Sequence, residues 1–117
     1  PAKTMLGVRS VAAAVFYREH LPGTMQVGMI PKPDDIEAFV AAGVDVIRLW
    51  PHWLGPDKGG NAAGEQLLER VRKSGRRLLL NVEAGTAKYV NPVLLAKPDY
   101  LFTDDPAMLR RTLQALQ

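Results

Sequence analysis

Two apolar runs in the last third of the chain end in side chains able to bind or react. They read Arg76-Arg77-Leu78-Leu79-Leu80-Asn81-Val82-Glu83 and Asp99-Tyr100-Leu101-Phe102-Thr103-Asp104-Asp105-Pro106. Strands buried on both faces of a parallel sheet read as near-continuous apolar runs, and ligands of such sheets and barrels sit at the strands' carboxyl ends. Asn81, Glu83, Thr103 and Asp104 therefore stand where chemistry would be placed. Asn81 suits hydrogen bonding across the strand ends. Glu83 and Asp104 could act as paired carboxylates for a divalent ion, since magnesium can be held by two carboxylates and waters. Asp104 also precedes Asp105-Pro106 at a helix start, and capping is the preferred reading for it.

Three further residues belong to the same enquiry. Arg48 lies inside a strand pattern, Val44–Trp50, where a buried cation needs a partner. Glu83 or Asp104 could pair with it, or it could grip phosphate oxygens in a bidentate fork. His52, in Trp50-Pro51-His52-Trp53, follows that strand on the expected rim, where an aromatic cluster could either pack or touch a ligand. His20 closes a helix, where an imidazole suits the helix dipole, and the structural reading is preferred. No Gly-Lys-Ser/Thr phosphate loop and no Gly-x-Ser-x-Gly elbow occurs.

The elements that must position these residues alternate regularly. Strands are expected at Met5–Val8, Met25–Ile30, Val44–Trp50, Leu78–Val82 and Tyr100–Phe102. Helices are expected at Val11–His20, at Asp34 or Asp35 to Ala42, from Asn61 or Gly64 to Ser74, and at Ala107–Leu116 behind Pro106 at the first helical position. Pro51–Gly60 and Ala84–Asn91 read as loops, and Pro92–Ala96 as a helical turn. Asn61 is a candidate helix cap. Alternation of this kind predicts a parallel sheet with right-handed crossovers. Two architectures satisfy it: a complete five-stranded doubly wound sheet, or part of a TIM barrel, which needs about 250 residues.

At 117 residues the chain is one domain's worth, residues 1–117, and 47% hydrophobic with 23% charged residues excludes a disordered composition. The absence of cysteine rules out disulfides, thiolate catalysis and Cys-based zinc sites. A net charge of +3 mildly favours anionic partners. The cations gather at Arg70, Arg72, Lys73, Arg76 and Arg77 rather than in a stripe interleaved with aromatics, so no nucleic-acid partner is expected. No apolar run approaches the roughly 20 residues of a membrane span. Pro1–Met5 lacks a secretory core, and residue 1 reads as a processing boundary. A soluble chain, cytoplasmic or periplasmic, is expected.

The order of features narrows the choice of architecture. Val8-Arg9-Ser10 runs into a helix and His20-Leu21-Pro22. Ala42-Gly43-Val44-Asp45-Val46-Ile47 follows. A helix then leads into Gly75-Arg76-Arg77-Leu78-Leu79-Leu80-Asn81-Val82, and Lys97-Pro98-Asp99-Tyr100-Leu101-Phe102-Thr103-Asp104-Asp105-Pro106 leads into the last helix. This series resembles the C-terminal half of the glycerophosphodiester phosphodiesterase family, over almost the whole chain. In that family a strand ends in Ser-Phe, a later one closes in a Trp-Thr-Val-Asn-like motif, and the last ends in Thr-Asp-x-Pro.

The resemblance implies a half-barrel: alternating βα units with parallel strands, equivalent to the C-terminal half of a TIM barrel. It further implies phosphodiester hydrolysis in lipid metabolism, with a divalent metal, calcium or magnesium, in the full barrel. The family's His-Arg-Gly motif, metal carboxylates and second His belong to the N-terminal half and do not occur here. No catalytic residue, metal ligand or cofactor is therefore assigned to this chain, and it is expected to be inactive alone. Asn81 stands in the family's Trp position and Ser10-Val11 replaces Ser-Phe, leaving Trp50 or Trp53 to substitute as the aromatic wall. Substrate-side contacts are expected from Arg48, Trp50, His52, Asn81 and Glu83, toward a small phosphate-containing ligand. The open strand edges of a half-barrel imply a homodimer or a missing N-terminal half as partner. The alternative is a non-catalytic binding or oligomerisation module derived from the same barrel.

Overall fold

The structure, a computed structural model, describes residues 5–54 and 62–116, with the side chains of residues 62 and 63 excepted. Strands β1 Met5–Val8, β2 Met25–Gly28, β3 Val46–Leu49, β4 Arg77–Asn81 and β5 Tyr100–Phe102 alternate with helices α1 Val11–His20, α2 Ile36–Ala41, α3 Ala62–Lys73, α4 Ala87–Val90 and α5 Pro106–Ala115. Most of the loop expected at Pro51–Gly60, and the Asn61 cap, lie outside the described residues. Pro1–Thr4 lie outside them as well.

Helix ends follow local chemistry. Ser10 caps α1, its Oγ accepting the Ala13 N–H at 3.0 Å. His20 closes that helix, its Nδ1 2.8 Å from the Phe16 carbonyl and its ring stacked on Phe16 at 4.1 Å. At α5 the cap is Asp105 and not Asp104: Asp105 Oδ1 accepts the Met108 N–H at 3.0 Å. Pro106 at the first helical position puts the cap on the residue immediately before it, which is why the expectation for Asp104 was one residue early.

Other boundaries moved for tertiary reasons. The β3 pairing stops at Leu49, and Pro51–Leu54 forms a 3-10 helix where a loop was expected. Leu54 is fully buried there and anchors the segment. A single helical turn, α4, forms inside the expected loop 84–91, holding Val90 in the core.

The sheet runs β1-β2-β3-β4-β5, every pair parallel and every neighbour consecutive in sequence. A doubly wound sheet reverses its strand order at a switch point and carries helices on both faces. Among the described residues neither feature is present. The main core joins Val8, Ile47, Leu49, Leu78, Leu80 and Val82 of the sheet to Ala14, Ile36, Phe39, Leu68, Val71 and Val90 of the helices. The alternate strand positions, Val27, Val46 and Leu79, form a separate cluster with Met25, Met29 and Tyr100, and no helical residue joins it. With helices on one face only and no strand reversal, the sheet is the curled wall of a half-barrel. Its inner face carries the second cluster.

That geometry assigns every strand side chain to a face. Because successive residues alternate, Arg48 follows Val46 to the inner face and Asn81 follows Leu79. Strands β1 and β5 each have a single neighbour, and Met5 and Phe102 beside these open edges are 38% and 52% exposed. Among the described residues no helix is long and apolar enough to cross a membrane.

Candidate functional site

The carboxyl ends of β3 and β4 open into a cleft of about 240 Å³ lined by Trp50, Pro51, His52, Asn81, Glu83, Lys88, Tyr89, Pro92 and Val93. The 3-10 turn after β3 supplies one wall. There the His52 ring lies between the two indoles, 6.3 Å from Trp50 at 25° and 6.1 Å from Trp53 at 74°. Trp53 is half-buried against the main core and fixes the turn, whereas Trp50 and His52 face solvent.

The turn after β4 supplies the opposite wall. The Gly85 N–H donates to the Val82 carbonyl at 2.8 Å, and Glu83 inside this turn adopts φ +45°. Such a conformation costs a non-glycine residue of order 1–3 kcal/mol and persists only where its surroundings hold it. The holding groups are visible. The Glu83 carbonyl accepts from Thr103 Oγ1 at 2.7 Å and from the Asp104 N–H at 2.8 Å, and Val82 N–H donates to Phe102 O at 2.8 Å. Gly85 sits flush on α5, where a Cβ would come within 3.0 Å of the Leu109 backbone. Thr103 is thus a tie between loops, also accepting the Asp105 N–H at 3.0 Å.

Four of the five residues expected to touch ligand, namely Trp50, His52, Asn81 and Glu83, therefore line one cleft. The fifth, Arg48, does not line it but packs against Trp50, which does. Its guanidinium carbon is 4.2 Å from the centre of the Trp50 ring, and the residue is only 4% exposed. The ion pair to Glu83 or Asp104 that would explain this burial is not formed: the ion pairs among the described residues join Arg70 to Glu37 and Arg72 to Glu65 and Glu69. Arg48 Nε is buried without a hydrogen-bond partner. Burial holds the Arg48 pKa below the ordinary arginine value, and Arg9 at the end of β1 pushes it the same way. Asn81 Oδ1 is likewise buried and unpartnered.

Lys88 and Tyr89 were not singled out from the sequence, because their segment reads as a loop. The Lys88 ammonium lies 5.3 Å from the Tyr89 ring centre on the far side of the cleft. Arg9 was likewise passed over, since nothing in sequence links it to Arg48. Glu83 and Asp104 are neighbours at the rim. Their contact is a backbone hydrogen bond, and no group of three or more His, Asp or Glu able to hold an ion converges among the described residues.

Fold and cleft together define a class: a parallel, one-sided (β/α) half-barrel with its recess at the strands' carboxyl ends. Among solved structures the chain is similar to a glycerophosphoryl diester phosphodiesterase from Parabacteroides distasonis ATCC 8503, with a TM-score of 0.66 and 12% identity over 96% of this chain. The match covers 41% of that protein. Such a likeness establishes the fold. No protein-family model matches the sequence, and no curated protein does.

Proposed function

We propose that the chain is the C-terminal half of a glycerophosphodiester phosphodiesterase-like hydrolase, supplying barrel wall and substrate-side contacts. The observation that carries this reading is the convergence of Trp50, His52, Asn81 and Glu83 on one cleft, with the buried cation Arg48 packed against its Trp50 wall. A phosphate ester suits that arrangement. Its charge is met by guanidinium, its alcohol can lie against Trp50 and Tyr89, and its hydroxyls can donate to Asn81 and Glu83. The similarity in fold to a phosphodiesterase supports the assignment.

Among the described residues no group of His, Asp or Glu fits the divalent metal of the full barrel. This chain binds and orients while an N-terminal half supplies the reacting groups. The test is a glycerophosphodiesterase assay with calcium or magnesium. The 117-residue chain alone should release no glycerol phosphate, and a polypeptide that also carries the preceding barrel units should. Release by the chain alone overturns the division of labour.

A second reading rests on a different observation. Val11, Val15 and Phe16 on α1 are 39%, 40% and 53% exposed, beside the open edge of β1. A chain that associates with itself through this edge and remains inactive in every form is a binding or oligomerisation module.

A further inference from the structure

Two buried polar atoms on the inner face lack partners, and they are neighbours. Arg48 pairs with Leu79 in the β3–β4 register, so Asn81 lies one inner-face position further along the adjacent strand. From the strand spacing and rise, the two α-carbons are about 8 Å apart. Arg48 Nε is a donor and Asn81 Oδ1 an acceptor, each shielded from solvent and unbonded. A buried polar group left unpaired is costly, and a cation the more so. The charges around them are Arg9 beside Arg48, with Lys88 and Glu83 in the cleft, so cations prevail. The Trp50 ring lies over the guanidinium, its centre 4.2 Å from the guanidinium carbon.

We propose that Arg48 and Asn81 form one subsite for a phosphate that also presents a hydroxyl: the phosphate oxygens accept from Arg48, and the hydroxyl donates to Asn81 Oδ1. This rests on the cleft being a phosphate-ester site and names the feature that selects its ligand. Hydrogen phosphate carries such a donor on phosphorus, and a phosphorylated polyol carries it on carbon. Sulfate has none at neutral pH, and neither has methyl phosphate above its second pKa of about 6. A site with a fixed, unpaired acceptor favours anions that can donate to it, because only these supply the missing hydrogen bond.

Calorimetric titration of the 117-residue chain at pH 8 with inorganic phosphate, glycerol phosphate, methyl phosphate and sulfate tests this. Phosphate and glycerol phosphate, separating the two hydroxyl sources, should bind at least 10-fold more tightly than methyl phosphate and sulfate. Asn81→Leu, close in volume, should erase that preference while leaving sulfate affinity unchanged. Arg48→Met should abolish binding of all four, and Arg48→Lys should weaken all by about 10-fold, since an ammonium lacks the planar fork. Thermal melts of each variant establish that it folds. Equal affinity for phosphate and sulfate, a preference that survives Asn81→Leu, or no anion binding by the folded wild-type chain overturns the subsite. An extended polypeptide without phosphodiesterase activity, in a chain that shows the preference, overturns the proposed function and leaves the subsite standing.

Discussion

Asp45 holds Gln26 at two points. Its amide donates to the Gln26 carbonyl at 2.9 Å, and its carboxylate accepts the Gln26 amide at 2.8 Å. Asp99 repeats the arrangement on Leu78, with distances of 2.9 and 2.8 Å. Each aspartate stands just before a strand, β3 or β5, and ties the start of the preceding one. The two βα units thus share one device for setting register at the amino end of the sheet, remote from the cleft.

Truncating either tie leaves a strand amide without its charged acceptor. Asp45→Ala and Asp99→Ala should each cost about 1.5–3 kcal/mol, the range for hydrogen bonds to charged groups. The ties lie on separate strand pairs, so the double variant should be additive within about 0.5 kcal/mol. Urea unfolding of the four proteins checks both statements. A loss below 0.5 kcal/mol from each single change, on the scale of a surface substitution, shows that the ties do not set register.

Glu37 on α2 and Arg70 on α3 form a two-pronged pair, with Nη2–Oε1 at 2.6 Å and Nε–Oε2 at 3.0 Å. The hydrogen bonds from Arg70 hold the Glu37 pKa below its ordinary 4.5. A carboxylate with a depressed pKa contributes stability above its unfolded value and loses it as pH falls through the folded one. Because the pair is solvent-exposed, the contribution should be only about 0.2–1 kcal/mol. Wild type should lose this advantage over Glu37→Gln between pH 7 and pH 3, measured by denaturant unfolding. An unchanged difference across that range removes the pair from the acid limb.

The left-handed Glu83 allows conformation and side chain to be separated. Glu83→Gly and Glu83→Ala both delete the carboxylate, but glycine accepts φ +45° without Cβ strain. The glycine variant should be the more stable by about 1 kcal/mol. If the carboxylate accepts ligand hydroxyls, glycerol phosphate affinity should fall equally in both. Weakened binding in the alanine variant alone assigns Glu83 a purely conformational role.

The open β1–α1 edge makes its own prediction. The exposed side chains of the central helix α3 among the described residues are polar or charged, at Glu65, Gln66, Glu69, Arg72 and Lys73, whereas α1 shows Val11, Val15 and Phe16 to solvent. A charge at such an edge opposes pairing. If the isolated chain associates, Phe16→Lys should shift it toward 12.8 kDa in light scattering while its melting temperature changes little. Association undiminished in Phe16→Lys places the contact elsewhere, with Phe102 on β5 the next to change.

Much of this molecule was legible in the order of its residues. Met5–Val8, Val11–His20 and Tyr100–Phe102 are bounded as expected, because Ser10, Pro22 and Pro98 mark them locally. The short elements, α4 and the turn Pro51–Leu54, were not legible, because what holds them is burial of Val90 and Leu54 under distant segments. The rim was readable at Trp50, His52, Asn81 and Glu83, since each ends or follows a recognisable strand. Lys88 and Tyr89 enter the same cleft only because the turn held by Thr103 folds their segment back toward β3.

Residue order by itself determined the alternation of strand and helix, and with it a parallel sheet, because periodicity and turn chemistry are local properties. It left two architectures standing on that basis. Only the tertiary structure decided between them, through which sheet face the helices cover and whether the strands reverse, and no local signal encodes either. The same holds for Arg48. A charged residue in a strand announces that it needs a partner, but whether it finds one depends on strands far away in the chain. Here they bring it Arg9 and a neighbouring Asn81, beside the local Trp50, and no carboxylate.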